Sequence, residues 1–97
     1  MARFDVYAGP EGELLLDCQA DVLAHFDTRF VVPLLPAPPS ARGDRLHPVF
    51  AVQDRELVMV TQLASAVPSR ILTCRVASLA DEQPAIMNAL DMLITGY

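Results

Sequence analysis

The sequence predicts a mainly β domain that ends in a single helix. Three observations carry this reading. Short runs of β-branched and aromatic residues recur through most of the chain, turn-forming Gly, Pro and Asp separate them, and the apolar period becomes helical only near the C-terminus. At 97 residues the chain has room for one domain, spanning residues 1–97.

Residues 3–8 alternate, with Phe4, Val6 and Ala8 on one face and Asp5 and Tyr7 on the other. Gly9-Pro10-Glu11-Gly12 reverses the chain, and residues 13–19 return as the second strand of a hairpin. Asp21–Leu23 is too brief to class. Residues 28–35 contain the run Phe30-Val31-Val32-Pro33-Leu34-Leu35, expected to be a strand covered on both faces. Pro33 cannot donate to a ladder, so it belongs at an edge, a bulge or a bend. The proline-rich residues 36–44 read as a loop between strands, too short for an inter-domain linker. Residues 48–53 and 56–61 flank Asp54-Arg55 as a further hairpin, and after a turn at Val67-Pro68 residues 69–76 form a last strand.

A helix follows over residues 80–94. Ser78-Leu79-Ala80-Asp81 is an N-terminal capping pattern, Asp81 and Glu82 face the positive end of the helix dipole, and Pro84 is tolerated in a first turn. Ile86, Ala89, Leu90, Leu93 and Tyr97 form the stripe that packs on the sheet. Met87, Met92 and Ile94 lie off that stripe and are left for the flanks or for a partner. A twisted antiparallel sheet folded into a small SH3-like barrel, with the helix across it, accommodates all these elements.

Composition narrows the function. The chain has no lysine, 7 arginines against 12 acidic residues, and a formal net charge of -5. With a pI near 4.7 it lacks the basic footprint of direct nucleic-acid binding. Hydrophobic residues make up 53% of the chain and mean hydropathy is +0.33, more apolar surface than one small core needs, which points to a partner. Neither a signal sequence nor a membrane span is read, so the expected location is the cytoplasm.

Cys18 and Cys74 each share a strand face with apolar residues, and both read as small core residues. His25 and His47 have no ligand partner at helical spacing, so neither a metal nor another cofactor is expected. The carboxylates Glu11, Glu13, Asp54, Glu56, Asp81 and Glu82 fall in turns and at the helix start. Ser40, Ser65, Ser69 and Ser78 lack a nucleophile-elbow setting, and four glycines supply no phosphate loop. The residues point to binding rather than catalysis.

Several segments together resemble the CcdB family, toxins of type II toxin–antitoxin modules. They are Phe4-Asp5-Val6-Tyr7, Leu16-Asp17-Cys18-Gln19-Ala20-Asp21-Val22-Leu23, Arg29-Phe30-Val31-Val32-Pro33-Leu34, His47-Pro48-Val49-Phe50, Met59-Val60-Thr61 with Leu63-Ala64-Ser65, and Asn88-Ala89-Leu90 with Gly96 one residue before the end. Their order and spacing cover nearly the whole chain. The resemblance implies a homodimer that inserts between the A subunits of DNA gyrase and holds the enzyme on cleaved DNA. It also implies a cognate antitoxin whose disordered, acidic-to-apolar tail removes the toxin, with transcription of the module autoregulated.

Matched residue by residue, the family's gyrase contacts fall on Val22 and Leu23 after the second strand. On the helix they fall on Asp91, where Asn is usual, on Ile94 in place of an aromatic, and on Thr95, Gly96 and Tyr97. The family ends in Trp-Gly-Ile, whereas this chain ends Thr95-Gly96-Tyr97. Thr95 has no aromatic face for a gyrase arginine, a contact worth roughly 0.5–2 kcal/mol. This departure implies an alternative: a homologue that keeps dimer and antitoxin binding but has lost or changed its gyrase target. A third reading, RNA cleavage of the MazF type on the shared barrel, is opposed by the charge of -5.

Overall fold

Gly9-Pro10-Glu11-Gly12 joins β1 (Asp5–Ala8) to β2 (Leu14–Asp17) in an antiparallel hairpin, with Val6 opposite Leu16 and Ala8 opposite Leu14. The structure, a computed structural model, describes residues 2–39 and 42–96. Among these, seven strands form one antiparallel sheet: β1, β2, β3 (Thr28–Pro36), β4 (Val49–Val52), β5 (Arg55–Met59), β6 (Ser65–Pro68) and β7 (Cys74–Ser78). The order is β4-β5-β3-β2-β1-β7, with β6 also on β3. Curling brings the two ends of the sheet together, where the Gln53 side-chain amide donates to the Val76 carbonyl (3.2 Å). The curled, barrel-like sheet and the C-terminal helix α1 (Gln83–Thr95) agree with the fold class read from the sequence.

The long strand β3 organises this topology. Its first half pairs with β6 and its second with β5, so both lie end to end along one edge, while β2 occupies the other. Pro33 sits at the break. Its carbonyl accepts from Val60 N–H (3.1 Å), so the donor it lacks faces the interval where β6 gives way to β5. Two apolar clusters flank the sheet, as the run through β3 predicts. Val32 and Leu34 join the main core with Val6, Leu16, Phe50, Leu57, Met59 and the helix residues Ile86, Ala89 and Leu90. Val31 faces the other side with Tyr7, Leu15 and Leu72.

Four local expectations need correction. The hairpin turn between β4 and β5 is Gln53-Asp54, not Asp54-Arg55: both have positive φ, 51° and 63°, the geometry of a two-residue turn that matches strand twist. Val67-Pro68 is no turn but the end of β6, a strand whose short sequence acquires its pairing only from β3. Residues 69–76 are not one strand, because Ser69–Ile71 is a 3-10 turn and β7 starts at Cys74. Cys74 is consequently exposed, since Leu72 precedes the strand and does not set its alternation; Cys18 is buried.

Candidate functional site

Two stretches of backbone leave the core. Residues 21–28 are all exposed, as are residues 91–96. The first holds a 3-10 turn, Asp21–Leu23, and the second is the end of α1. The expected helix stripe is buried at Ile86, Ala89 and Leu90 but exposed at Leu93; Tyr97 lies outside the described residues. Past Leu90 the helix has outrun the sheet beneath it, so about 7.5 Å of helix stands clear. Gly96 ends it in a left-handed conformation (φ 78°), its N–H on the Met92 carbonyl (2.9 Å).

Among the sequence-predicted residues, Val22 is 81% exposed and Ile94 76%, and Leu23 is exposed beside Val22. An unpartnered apolar side chain gains nothing from such exposure, which makes both stretches candidates for contact with another protein. Asp91 and Ile94 lie on the same side of α1 as Met87, at i+4 and i+7. Thr95, also exposed, folds its hydroxyl back along the helix, donating to the Asp91 carbonyl (2.6 Å). Phe26, not anticipated from the sequence, is half exposed with the His25 ring tilted 40° against it, ring centroids 4.3 Å apart.

Three polar residues fix the 3-10 turn. Arg3 N–H donates to Asp21 Oδ1 (2.8 Å), and the Arg3 guanidinium reaches Met87 Sδ (2.9 Å). One residue thus holds both the turn and the side of α1 that carries Asp91 and Ile94. Gln19 donates to the Leu23 carbonyl and accepts from Phe30 N–H, each at 3.0 Å. Alternation along β2 gives no sign of these roles, because each depends on residues brought together by the fold.

Beneath the turn lies a buried ion pair. Arg29 Nε and Nη2 both donate to Asp17 Oδ2, at 2.9 and 2.5 Å, with the two side chains 1% and 0% exposed. Asp17 Oδ1 accepts from Gln19 N–H (3.1 Å), continuing the chain of bonds from Arg29 through Gln19 to Leu23. A second pair, Arg75 with Asp5 (3.1 Å), lies toward the surface. Burial, and then the Asp5 and Asp17 carboxylates, push the Tyr7 hydroxyl above its usual range, against the opposing pull of Arg29 and Arg75. The Asp17–Arg29 pair is sealed from solvent, so it positions the turn rather than meeting a ligand. Among the described residues no group of His, Cys, Asp and Glu is arranged to hold a metal ion, and no helix is long and apolar enough to cross a membrane.

A family model described as CcdB protein matches residues 3–96. The chain belongs to the CcdB family. No curated protein sequence matches it. Among solved structures, an "Endoribonuclease from Mycobacterial species" superposes with a TM-score of 0.80 at 14% identity, covering 97% of this chain and 90% of that one. The Mycobacterium tuberculosis toxin MazF-mt6 superposes with a TM-score of 0.74 at 17% identity, covering 95% and 96%. At such identities the likeness is one of fold. The CcdB assignment places this chain with the toxins of toxin–antitoxin modules.

Proposed function

We propose that this CcdB-family chain acts by binding: as a homodimer in the cytoplasm it engages the A subunit of DNA gyrase and traps the enzyme on cleaved DNA, until a cognate antitoxin removes it. The observation that carries this reading is the pair of exposed stretches, residues 21–28 and 91–96, which present Val22, Leu23 and Ile94 to solvent. These coincide with the positions matched to the family's gyrase contacts, alongside Asp91, Thr95, Gly96 and Tyr97. Exposed apolar anchors at the tip of a rigid helix suit insertion into a partner's interface, where a few such residues carry most of the affinity. Capture of the purified gyrase A subunit by the immobilised chain tests it. Retention that is lost on Ile94→Asp supports the reading, and no retention of the wild-type chain contradicts it.

One observation favours a second reading. Thr95 occupies the family's tryptophan position and folds its hydroxyl back onto the Asp91 carbonyl, presenting no aromatic surface. In that reading the chain keeps its dimer and antitoxin surfaces but has lost or changed its gyrase target. A harmless wild-type chain that becomes toxic as Thr95→Trp supports it; a Thr95→Trp chain that stays harmless counts against it. Cleavage of purified RNA by the chain would instead favour an endoribonuclease.

A further inference from the structure

We infer that the tight turn at residues 2–5 is a positioning device for the partner-facing surface: through Arg3 it holds the 3-10 turn Asp21–Leu23 and the side of α1 in one fixed arrangement before a partner arrives. That this surface meets a partner rests on the reading proposed above. The preset arrangement itself is a property of the free chain.

Asp5 N–H donates to the Ala2 carbonyl (3.1 Å) and closes the turn. Of its two central residues only Phe4 has positive φ, 70°, the pattern of a type II turn, in which glycine normally takes that place. A bulky side chain there is strained. The other non-glycine residues with positive φ, Gln53 and Asp54, form the tip of a hairpin, whereas Phe4 belongs to none. Its conformation persists because its surroundings over-determine it. The ring is buried in the main core, the N–H donates to the Asp17 carbonyl (2.6 Å), and the carbonyl accepts from Leu79 N–H (2.8 Å).

What this strained residue places is Arg3. The guanidinium carbon lies 4.5 Å from the centroid of the Phe4 ring, Nη2 donates to Met87 Sδ (2.9 Å), and the Arg3 N–H donates to Asp21 Oδ1 (2.8 Å). Arg3 Nε is buried without an acceptor among the described residues, a second cost accepted at this one position. Glycine in place of Phe4 would relieve the backbone and lose the ring that supports the guanidinium. The 3-10 turn needs such a hold, since none of its residues is buried and no side chain caps its start. With the turn already ordered, binding does not have to order it, which favours affinity.

Three variants of the full chain test this. Arg3→Pro suits the turn, because proline is favoured at its second residue, and removes both the N–H to Asp21 and the guanidinium on Met87. Arg3→Met keeps the N–H and removes only the guanidinium. Asp21→Ala breaks the same bond from its other end and touches no core residue. In the free chain, NMR order parameters of amides 21–24 should be about 0.85 in the wild type and in Arg3→Met, and about 0.6 or below in Arg3→Pro and Asp21→Ala, with β2 and β3 unchanged. Amides 21–24 that stay rigid in Asp21→Ala, or in a folded Arg3→Pro, would overturn the proposal. Binding is then read by titrating purified gyrase A subunit, with Val22→Ala added to each background. Arg3→Pro should weaken binding about tenfold, and the loss caused by Val22→Ala should shrink at least about threefold beside it. Additive losses would mark Arg3 as a simple contact and overturn its positioning role. A wild-type chain that does not bind gyrase A contradicts the gyrase reading alone, because the order parameters are measured without it.

Discussion

Replacing Asp17 by Asn tests the buried ion pair that underlies the exposed turn. Asn has the same shape and still accepts from Gln19 N–H, so the change isolates the charge. Arg29, 1% exposed, then keeps a guanidinium with no counter-ion. Breaking one side of a buried pair costs roughly 3–5 kcal/mol. A domain of this size has about 5–15 kcal/mol in all. Taking about 4 kcal/mol and a urea slope of about 1.5 kcal/mol/M, the midpoint should fall by roughly 2–3 M. Urea denaturation at pH 7, followed by circular dichroism, measures it. Replacing both partners, as Asp17→Leu with Arg29→Met, should cost far less than the sum of the single changes. A fall of less than about 0.5 M for Asp17→Asn would refute the buried-pair argument.

Other perturbations follow from the same geometry. Under native conditions at pH 8, iodoacetamide should label Cys74 alone, with Cys18 reacting only in denaturant; peptide mass spectrometry reads this directly. Burial, followed by the Asp17 carboxylate, pushes the Cys18 thiol up to about 12 from 9.0, so the folded chain holds that proton after the unfolded chain has released it. The stability gained is complete below pH 9 and is lost as pH rises toward 12, up to about 4 kcal/mol, and Cys18→Val should flatten the decline in alkaline urea titrations. Ile86→Ala, in the fully buried part of α1, should cost about 2–5 kcal/mol. Ile94→Asp and Val22→Asp should shift stability by no more than about 0.5 kcal/mol yet abolish growth arrest in a sensitive bacterium.

The helical period located α1 and its buried residues as far as Leu90, because 3.6-residue spacing reports directly on the face that meets the sheet. It also set Met87, Met92 and Ile94 off the core stripe; Met92 and Ile94 are exposed, but Met87 is half-buried against the core. The same period failed at Leu93, since no spacing rule says where the sheet beneath a helix stops. Alternation revealed β1, β2 and the doubly covered β3, but β6 and the exposure of Cys74 depend on which stretch of β3 is left free for pairing. Arg29 illustrates the remaining gap. A charged residue in a strand normally reads as solvent-facing; its burial requires Asp17, twelve residues away on the neighbouring strand, at the register that sets Asp17 against Val31. Of the candidate site, Val22, Leu23, Asp91 and Ile94 came from the family resemblance, whereas Arg3 and Gln19, which hold the turn, are visible only in three dimensions.

The most direct test of the binding account is a gyrase cleavage assay: purified chain, purified gyrase, supercoiled plasmid and ATP, stopped with detergent and protease. The account predicts linear plasmid that appears only when both proteins are present and that disappears when the chain carries Ile94→Asp. Plasmid that stays intact with the wild-type chain, together with cleavage of RNA added to the same reaction, would contradict it.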